Sequence, residues 1–261
     1  MRPLKDWPAQ QRRGVTGVLT DIDDTLTTEG AITPDALQAL GVLKNAGLHV
    51  IAITGRPVGW SEPFARSWPV DAIVAENGSV ALVLRGGSLT RLYQQDAATR
   101  ATNFTRMQQV ARRVLREVPG TLLSRDSAGR ETDIAIDHSE FTHLPADRIA
   151  QVVHIMRAEG MSATVSSIHI NGWFGTHDKL VGARWIVREL LGRELAHEMQ
   201  RWVYVGDSTN DQLMFEAFAH SVGVANIRRF ASELAHWPRY VTQGERGAGF
   251  AEVAAVLLAA R

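Results

Sequence analysis

Short apolar runs alternate with amphipathic stretches along much of the chain. "VTGVLT" (15–20) predicts a short buried strand, and "TPDALQALGVLKNAG" after it predicts a helix. Thr33 suits the N-cap of that helix, Pro34 its first position and Gly47 its stop. "LHVIAIT" (48–54) predicts a second strand, a helix follows at about 57–67, and "DAIVAEN" (71–77) predicts a third strand. Strand–helix–strand alternation of this kind argues for parallel units in an open α/β sheet.

After Gly78 the pattern shifts. "SVALVL" and "RLY", split by "RGGS", predict a hairpin. A helix at about 99–118 ends at Pro119-Gly120. Strands at about 121–125 and 131–137 flank a "DSAGR" turn, a helix takes about 145–159, and strands follow at about 161–166 and 168–174. From Asp178 the alternation returns, with a helix over "KLVGARWIVRELL" and the strand "RWVYVG" (201–206). A helix at about 209–219, strands over "VGVA" and "YVT" (240–242), and a last helix carrying "FAEVAAVLLAA" complete the chain. The predicted fold is α/β: a Rossmann-like parallel-sheet core built from 1–82 and 175–261, with an α+β domain inserted over 83–174.

Composition narrows the function classes. Lys plus Arg equals Asp plus Glu, 28 each, so no global basic excess drives nucleic-acid or membrane-surface binding. With no cysteine, disulfides, thiolate nucleophiles and cysteine-ligated metals are excluded. The N-terminal "MRPLKDWPAQQRRG" lacks the apolar core of a signal peptide. No run approaches the roughly 18 apolar residues of a membrane span. A cytoplasmic protein is expected, either monomer or homodimer.

The chemistry concentrates at two strand ends. "LTDIDDTLT" (19–27) packs three aspartates into four positions. Period-two alternation sets Asp21 and Asp23 on one face and Ile22 on the other. They stand at the carboxyl end of a strand, where open α/β sheets bind ligands. "VYVGDSTNDQLMF" (203–215) repeats the arrangement, with Asp207 at a strand tip and Asn210-Asp211 opening a helix. If the strands are neighbours, Asp21, Asp23, Asp207 and Asp211 converge. Crowded carboxylates raise one another's pKa, and a divalent cation relieves that. An all-oxygen donor set favours Mg²⁺ over Zn²⁺. Alone, an Asp at a strand end is usually a turn residue and an Asn or Asp at a helix start usually a cap. Both motifs in order, each after an apolar strand, argue against that plainer reading.

Two further residues suit a phosphate. Thr54 in "AITGRP" offers a hydroxyl to a phosphoryl oxygen, though a strand-end turn would also explain it. Lys179 in "THDKLVGARW" sits at a helix start, where the macrodipole disfavours a cation, so an anionic partner is expected rather than a solvated surface position.

"DIDDTLT", "ITGRP", "HDKLVGARW" and "GDSTNDQLMF" are similar to motifs one to four of the haloacid dehalogenase-like superfamily. The inserted block resembles the type IIB cap of Cof-type sugar phosphatases, sucrose- and mannosylglycerate-type phosphatases and eukaryotic phosphomannomutases. "ENGSV" (76–80) resembles the Cof-type stretch leading into that cap. The resemblance spans nearly the whole chain and implies roles residue by residue. Asp21 would be the nucleophile, forming an aspartyl-phosphate. Asp23 would protonate the leaving alcohol and then act as base on water. Thr54 and Lys179 would bind the transferring phosphoryl oxygens. Asp21, Asp207 and the backbone carbonyl of Asp23 would hold Mg²⁺, with Asp211 completing the metal site by orienting Lys179 or a metal-bound water. Asn210 would contact the phosphate or support its loop. Two positions depart from the pattern: Asp24, where many members have Gly, and Leu180, where Cof-type members usually have Gly.

Substrate contacts are expected from Arg56, which follows Thr54, and from "SIHINGWFG" (167–175). There His169 and Asn171 could hydrogen-bond sugar hydroxyls and Trp173 could stack on a ring, unless these residues are simply packed. Arg125 and Asp126 read as ordinary surface charges. The expected function is a Mg²⁺-dependent phosphatase acting on a small phosphorylated metabolite, a sugar phosphate in the first instance. The alternative is a phosphomutase or phosphotransferase with the same aspartyl-phosphate chemistry. A non-catalytic binding protein is disfavoured, since it has no use for an acid/base beside a nucleophile.

Overall fold

The computed structural model describes all 261 residues. One nine-stranded sheet runs in the spatial order Arg2–Pro3, Tyr240–Val241, His220–Gly223, Trp202–Gly206, Gly17–Thr20, His49–Ile53, Ala72–Ala75, Val80–Arg85, Ser88–Tyr93. The strands from Arg2–Pro3 to Ala72–Ala75 pair in parallel, and the last two add an antiparallel hairpin. Val18, Val50, Ala52, Val203 and Val205 pack in one cluster with the helices Pro34–Asn45, Val58–Ser67 and Arg246–Leu258. Their neighbours Leu19, Ile51, Ile53, Trp202 and Tyr204 pack on the other face with Lys179–Leu191 and Gln212–Ala217. Burial on both faces is why these strands read as unbroken apolar runs. No helix is long and apolar enough to cross a membrane.

The inserted domain has its own four-stranded antiparallel sheet, ordered Ser162–Val165, His169–Trp173, Ile134–Asp137, Leu122–Leu123. Helices Ala97–Glu117 and Ala146–Ala158 cover it around a core that includes Met107, Val114, Met156 and Trp173. The boundary expected between 82 and 83 falls inside a strand. Val80–Arg85 and Ser88–Tyr93 both extend the large sheet, so the cap's own structure begins with the helix at Ala97.

Other departures are local. The strand expected over "VGVA" lies at His220–Gly223, and Ala225 already starts a 3-10 turn. His220 enters the strand because it is buried beside the Trp7 ring, 5.1 Å away. The helix expected at 209–219 divides into the turn Thr209–Asp211 and the helix Gln212–Ala217. Arg2–Pro3 and the small hairpin Thr27–Thr28 with Ala31–Ile32 are too short to show a period.

The cap rests on loops at the carboxyl ends of the core strands. The Gly55 carbonyl accepts from Arg130 at 2.9 Å and from the Asn171 amide at 3.3 Å. The buried Glu76 carboxylate accepts from the backbone N–H groups of Val58 at 3.1 Å in the core and Glu131 at 3.0 Å in the cap. Thr209 Oγ1 donates to the Val165 carbonyl at 2.7 Å. Beside these bonds the first turn of Val58–Ser67 meets the cap directly: a Cβ on Gly59 would lie 2.9 Å from Gly129 Cα.

Candidate active site

Gly17–Thr20 and Trp202–Gly206 are neighbouring parallel strands, and His49–Ile53 flanks the first on its other side. Asp21, Asp207 and Thr54 directly follow their ends and therefore meet above one edge of the sheet. Register carries over into the loop, where the Asp21 N–H donates to the Val205 carbonyl at 2.8 Å. The strand stops at Thr20, so alternation does not govern Asp21 and Asp23. They lie in the turn beyond it, and their carboxylates go to different partners.

Lys179 Nζ donates to Asp21 Oδ1 at 2.5 Å and to Asp211 Oδ1 at 2.7 Å. It comes from the start of Lys179–Leu191, capped by the Asp178 side chain, which accepts from the Val181 N–H at 2.7 Å. The anionic partners expected for a cation at this end of a helix are these two carboxylates. Asn210 Oδ1 lies 3.4 Å from Lys179 Nζ and accepts from Ser208 Oγ at 3.0 Å.

Asp211 is fully enclosed. Its Oδ2 accepts the N–H groups of Asp207 at 2.9 Å and Ser208 at 3.1 Å, and its Oδ1 also receives the Tyr204 hydroxyl. Four donors fill the capacity of a carboxylate. Asp207 is held more loosely, by the Thr25 hydroxyl at 3.4 Å and the Asn226 amide at 3.2 Å. Lys179 takes one oxygen of Asp21, and no protein donor meets the other.

Carboxylate oxygens of Asp21, Asp207 and Asp211 lie within 4.8 Å of one another, all buried. Lys179 is the one basic side chain that pairs with them, so with all three ionised the cluster would carry two negative charges in excess. Burial, with repulsion from Asp211 and Asp23, pushes the Asp21 carboxyl up despite Lys179. Asp207 is raised for the same reasons, burial first and then Asp21 and Asp211. These are oxygen ligands only, and a divalent cation would offset their excess charge.

Asp23 turns to Arg56, whose Nε donates to Oδ1 at 2.9 Å and Oδ2 at 3.1 Å. The same guanidinium reaches two cap carboxylates, Asp126 at 3.2 Å and Glu140 at 2.8 Å. Arg56 is thus enclosed among three carboxylates, with 5% of its side chain exposed, rather than open to an anion. Thr54 is buried, and its Oγ1 accepts the Arg56 N–H at 3.0 Å, leaving its hydroxyl proton to point elsewhere. Asp24 occupies a left-handed conformation, φ 54°, that suits Gly better. Its carboxylate pairs with Arg246 at 2.9 Å.

The cap residues expected to touch sugar are packed. Trp173 is 2% exposed and its indole donates to the His177 carbonyl, so it cannot stack on a ligand. Asn171 spans Gly55 and Asp133 at the cap–core junction. His169 Nε2 lies 2.8 Å from Glu140 Oε2, behind the site. Asp126 is not a surface charge. It accepts from Arg56, Arg130 and Ser124, and its pKa is held down at about 2, because those partners outweigh the effect of burial. Arg125 is exposed and lies over the Phe141 ring. Burial opposes charge on Glu140, yet bonds from His169 and Arg56 keep its carboxyl below the ordinary value.

Sequence reasoning missed Glu140, Asp126 and Asn226. Asn226 comes after the next parallel strand, His220–Gly223, so its position three residues past a strand end was a usable signal. Glu140 and Asp126 lie in cap loops, where nothing local marks them.

The sequence matches the family model for haloacid dehalogenase-like hydrolases over residues 18–139. No curated protein matches it. Among solved structures, a Thermoplasma acidophilum protein aligns at TM-score 0.71 and 14% identity, over 94% of this chain and 98% of that one. The sucrose-phosphatase of Synechocystis, solved with sucrose and phosphate, aligns at 0.66 and 15%, over 94% and 98%. A haloacid dehalogenase subclass IIB sugar phosphatase aligns at 0.62 and 14%, over 93% and 96%. At these identities the likeness is one of fold.

Proposed function

We propose that the chain is a haloacid dehalogenase-like hydrolase, as the family match over residues 18–139 supports, and that it is a cytoplasmic, Mg²⁺-dependent phosphatase of a small phosphorylated metabolite, a sugar phosphate by class. The observation that carries this reading is the meeting of Asp21, Asp207 and Lys179 at the tips of two adjacent parallel strands. Asp21 has a free oxygen to attack phosphorus and form an aspartyl-phosphate. Splitting hydrolysis into two displacements in this way lowers each barrier. Lys179 and the Thr54 hydroxyl would stabilise the transferring phosphoryl oxygens. Asp23 protonates the departing alcohol and then takes a proton from the attacking water. Arg56 orients Asp23 and bonds the cap at the same time, so seating the cap and aiming the acid are one event.

Asp21 and Asp207, with the Asp23 backbone carbonyl, would hold Mg²⁺, which when bound neutralises charge on the phosphoryl group. Asp211, its lone pairs taken by protein donors, positions Lys179 and the Asp207 loop. The sugar-phosphate class draws support from the sucrose-phosphatase and the sugar phosphatase that share the fold.

The test is release of inorganic phosphate from a panel of phosphate monoesters with Mg²⁺ present. EDTA and Asp21→Asn are each expected to abolish it. Isomerised hexose phosphate without phosphate release would favour a mutase instead. Turnover in metal-free protein would remove the metal from the reading.

A further inference from the structure

A cavity of about 280 Å³ opens between the core loop after Gly17–Thr20 and the cap loop carrying Glu140. Asp23 lines it. If Asp23 protonates the leaving alcohol, that alcohol occupies this cavity, so a role for the cavity in substrate choice rests on the protein being a phosphatase. The volume is at the small end of ligand sites, about 300–1,000 Å³, which suits one ring rather than a nucleotide.

Charge on the walls is one-sided. Asp23, Asp24, Glu29 and Glu140 all line the cavity, and Arg246 is the one basic residue among the lining. Arg246 is already paired with Asp24 at 2.9 Å. Arg56, behind the wall, is bound by Asp23, Glu140 and Asp126. Arg125, stacked on Phe141, stands outside the lining, so within the cavity an incoming anion finds no uncommitted cation and faces Glu140 and the exposed Glu29. Hydroxyl groups find the opposite, because carboxylates accept hydrogen bonds and hold no donor when ionised. Ile168 and the face of Phe141 that Arg125 does not cover supply an apolar wall against which the C–H face of a ring can lie.

We propose that this cavity selects the leaving group by charge: it admits a hydroxyl-rich alcohol that is uncharged or carries an amine, and it rejects one bearing a carboxylate. Glu140 and Glu29 are the specificity-determining residues. His169 and Arg56 are positioning residues for Glu140, bonded to its two oxygens at 2.8 Å each.

The experiment compares kcat/KM for glucose 6-phosphate, glucosamine 6-phosphate and 6-phosphogluconate, with p-nitrophenyl phosphate as a probe of the core chemistry. Wild type is expected to prefer the better of the first two over 6-phosphogluconate by about tenfold or more, as like-charge juxtaposition requires. Glu140→Gln and Glu29→Gln are each expected to shrink that ratio by at least about threefold. Glu29 is exposed, so its variant tests the idea without disturbing the fold. If p-nitrophenyl phosphate is hydrolysed but 6-phosphogluconate does as well as the other two, charge selection is overturned and the phosphatase reading stands. If the preference exists but neither variant changes it, the assignment to Glu140 and Glu29 is overturned. If no ester turns over with Mg²⁺, the phosphatase reading fails and this inference fails with it.

Discussion

Lys179 bonds Asp21 and Asp211, whereas Asp207 has no cation of its own. Removing the ammonium by Lys179→Met would leave three buried carboxylates unpaired. Breaking a buried pair costs about 3–5 kcal/mol, so urea unfolding in metal-free buffer should show a loss of that order. Adding Mg²⁺ should recover part of it and should also raise the thermal midpoint of wild type, since a ligand of the folded state stabilises it. Asp207→Asn should blunt the Mg²⁺ effect. Asp23→Asn should lower phosphate release by about 10²–10⁴-fold, the usual contribution of a general acid. A separate signal comes from His177, 4% exposed, stacked on Trp173, with its Nε2 unpartnered. Burial pushes its pKa down to about 4 from 6.5. The folded state holds this ring neutral, so its contribution to stability is complete above pH 6.5 and is lost as pH falls towards 4. The unfolding free energy of wild type relative to His177→Gln should therefore drop by a few kcal/mol over that window.

At the level of elements, the alternation of strands and helices was readable because the central core strands are buried on both faces and helices carry a stop or cap, as at Thr33 and Gly47. Asp21, Thr54, Lys179 and Asp207 were readable as candidates because each directly follows a strand or opens a helix, where chain direction alone fixes the neighbourhood. The turn after Thr20 was not readable, because period-two reasoning ends where strand pairing ends. Nor was the partner of Asp23, since Arg56 lies 33 positions away and its other partners are in the cap. Close approaches between elements were equally hidden. A Cβ on Gly182 would lie 2.5 Å from Gly78 Cα, so the Lys179 helix presses its backbone against the loop after Ala75. An Ala in a helix interior normally gains about 1 kcal/mol over Gly. Gly182→Ala should instead lower the thermal midpoint and weaken turnover, because the helix that carries Lys179 must move.

Across the whole molecule, the cap was legible as a separate α+β block but its docking was not. Glu76, Arg130 and Asn171 join segments more than fifty residues apart, and no periodicity announces such pairings. The Arg56 cluster makes the seated cap and the orientation of Asp23 interdependent. Gly59→Ala tests that dependence without touching a charge. Its Cβ would meet the Gly129 backbone, and displacing the cap should reduce kcat/KM by about 10–100-fold, the scale of an ångström-sized misplacement. Thermal stability should fail to show the usual gain of Ala over Gly.

That bare contact acts as a depth gauge. Where Gly59 and Gly129 touch, main chain stops main chain, with no flexible side chain between them to compress. On the proposed reading, the two methyl groups that these residues lack help to set the clearance above Asp23 for a departing alcohol. A chain with the same chemistry but a bulkier residue at either position would carry its lid higher and would measure out a longer alcohol.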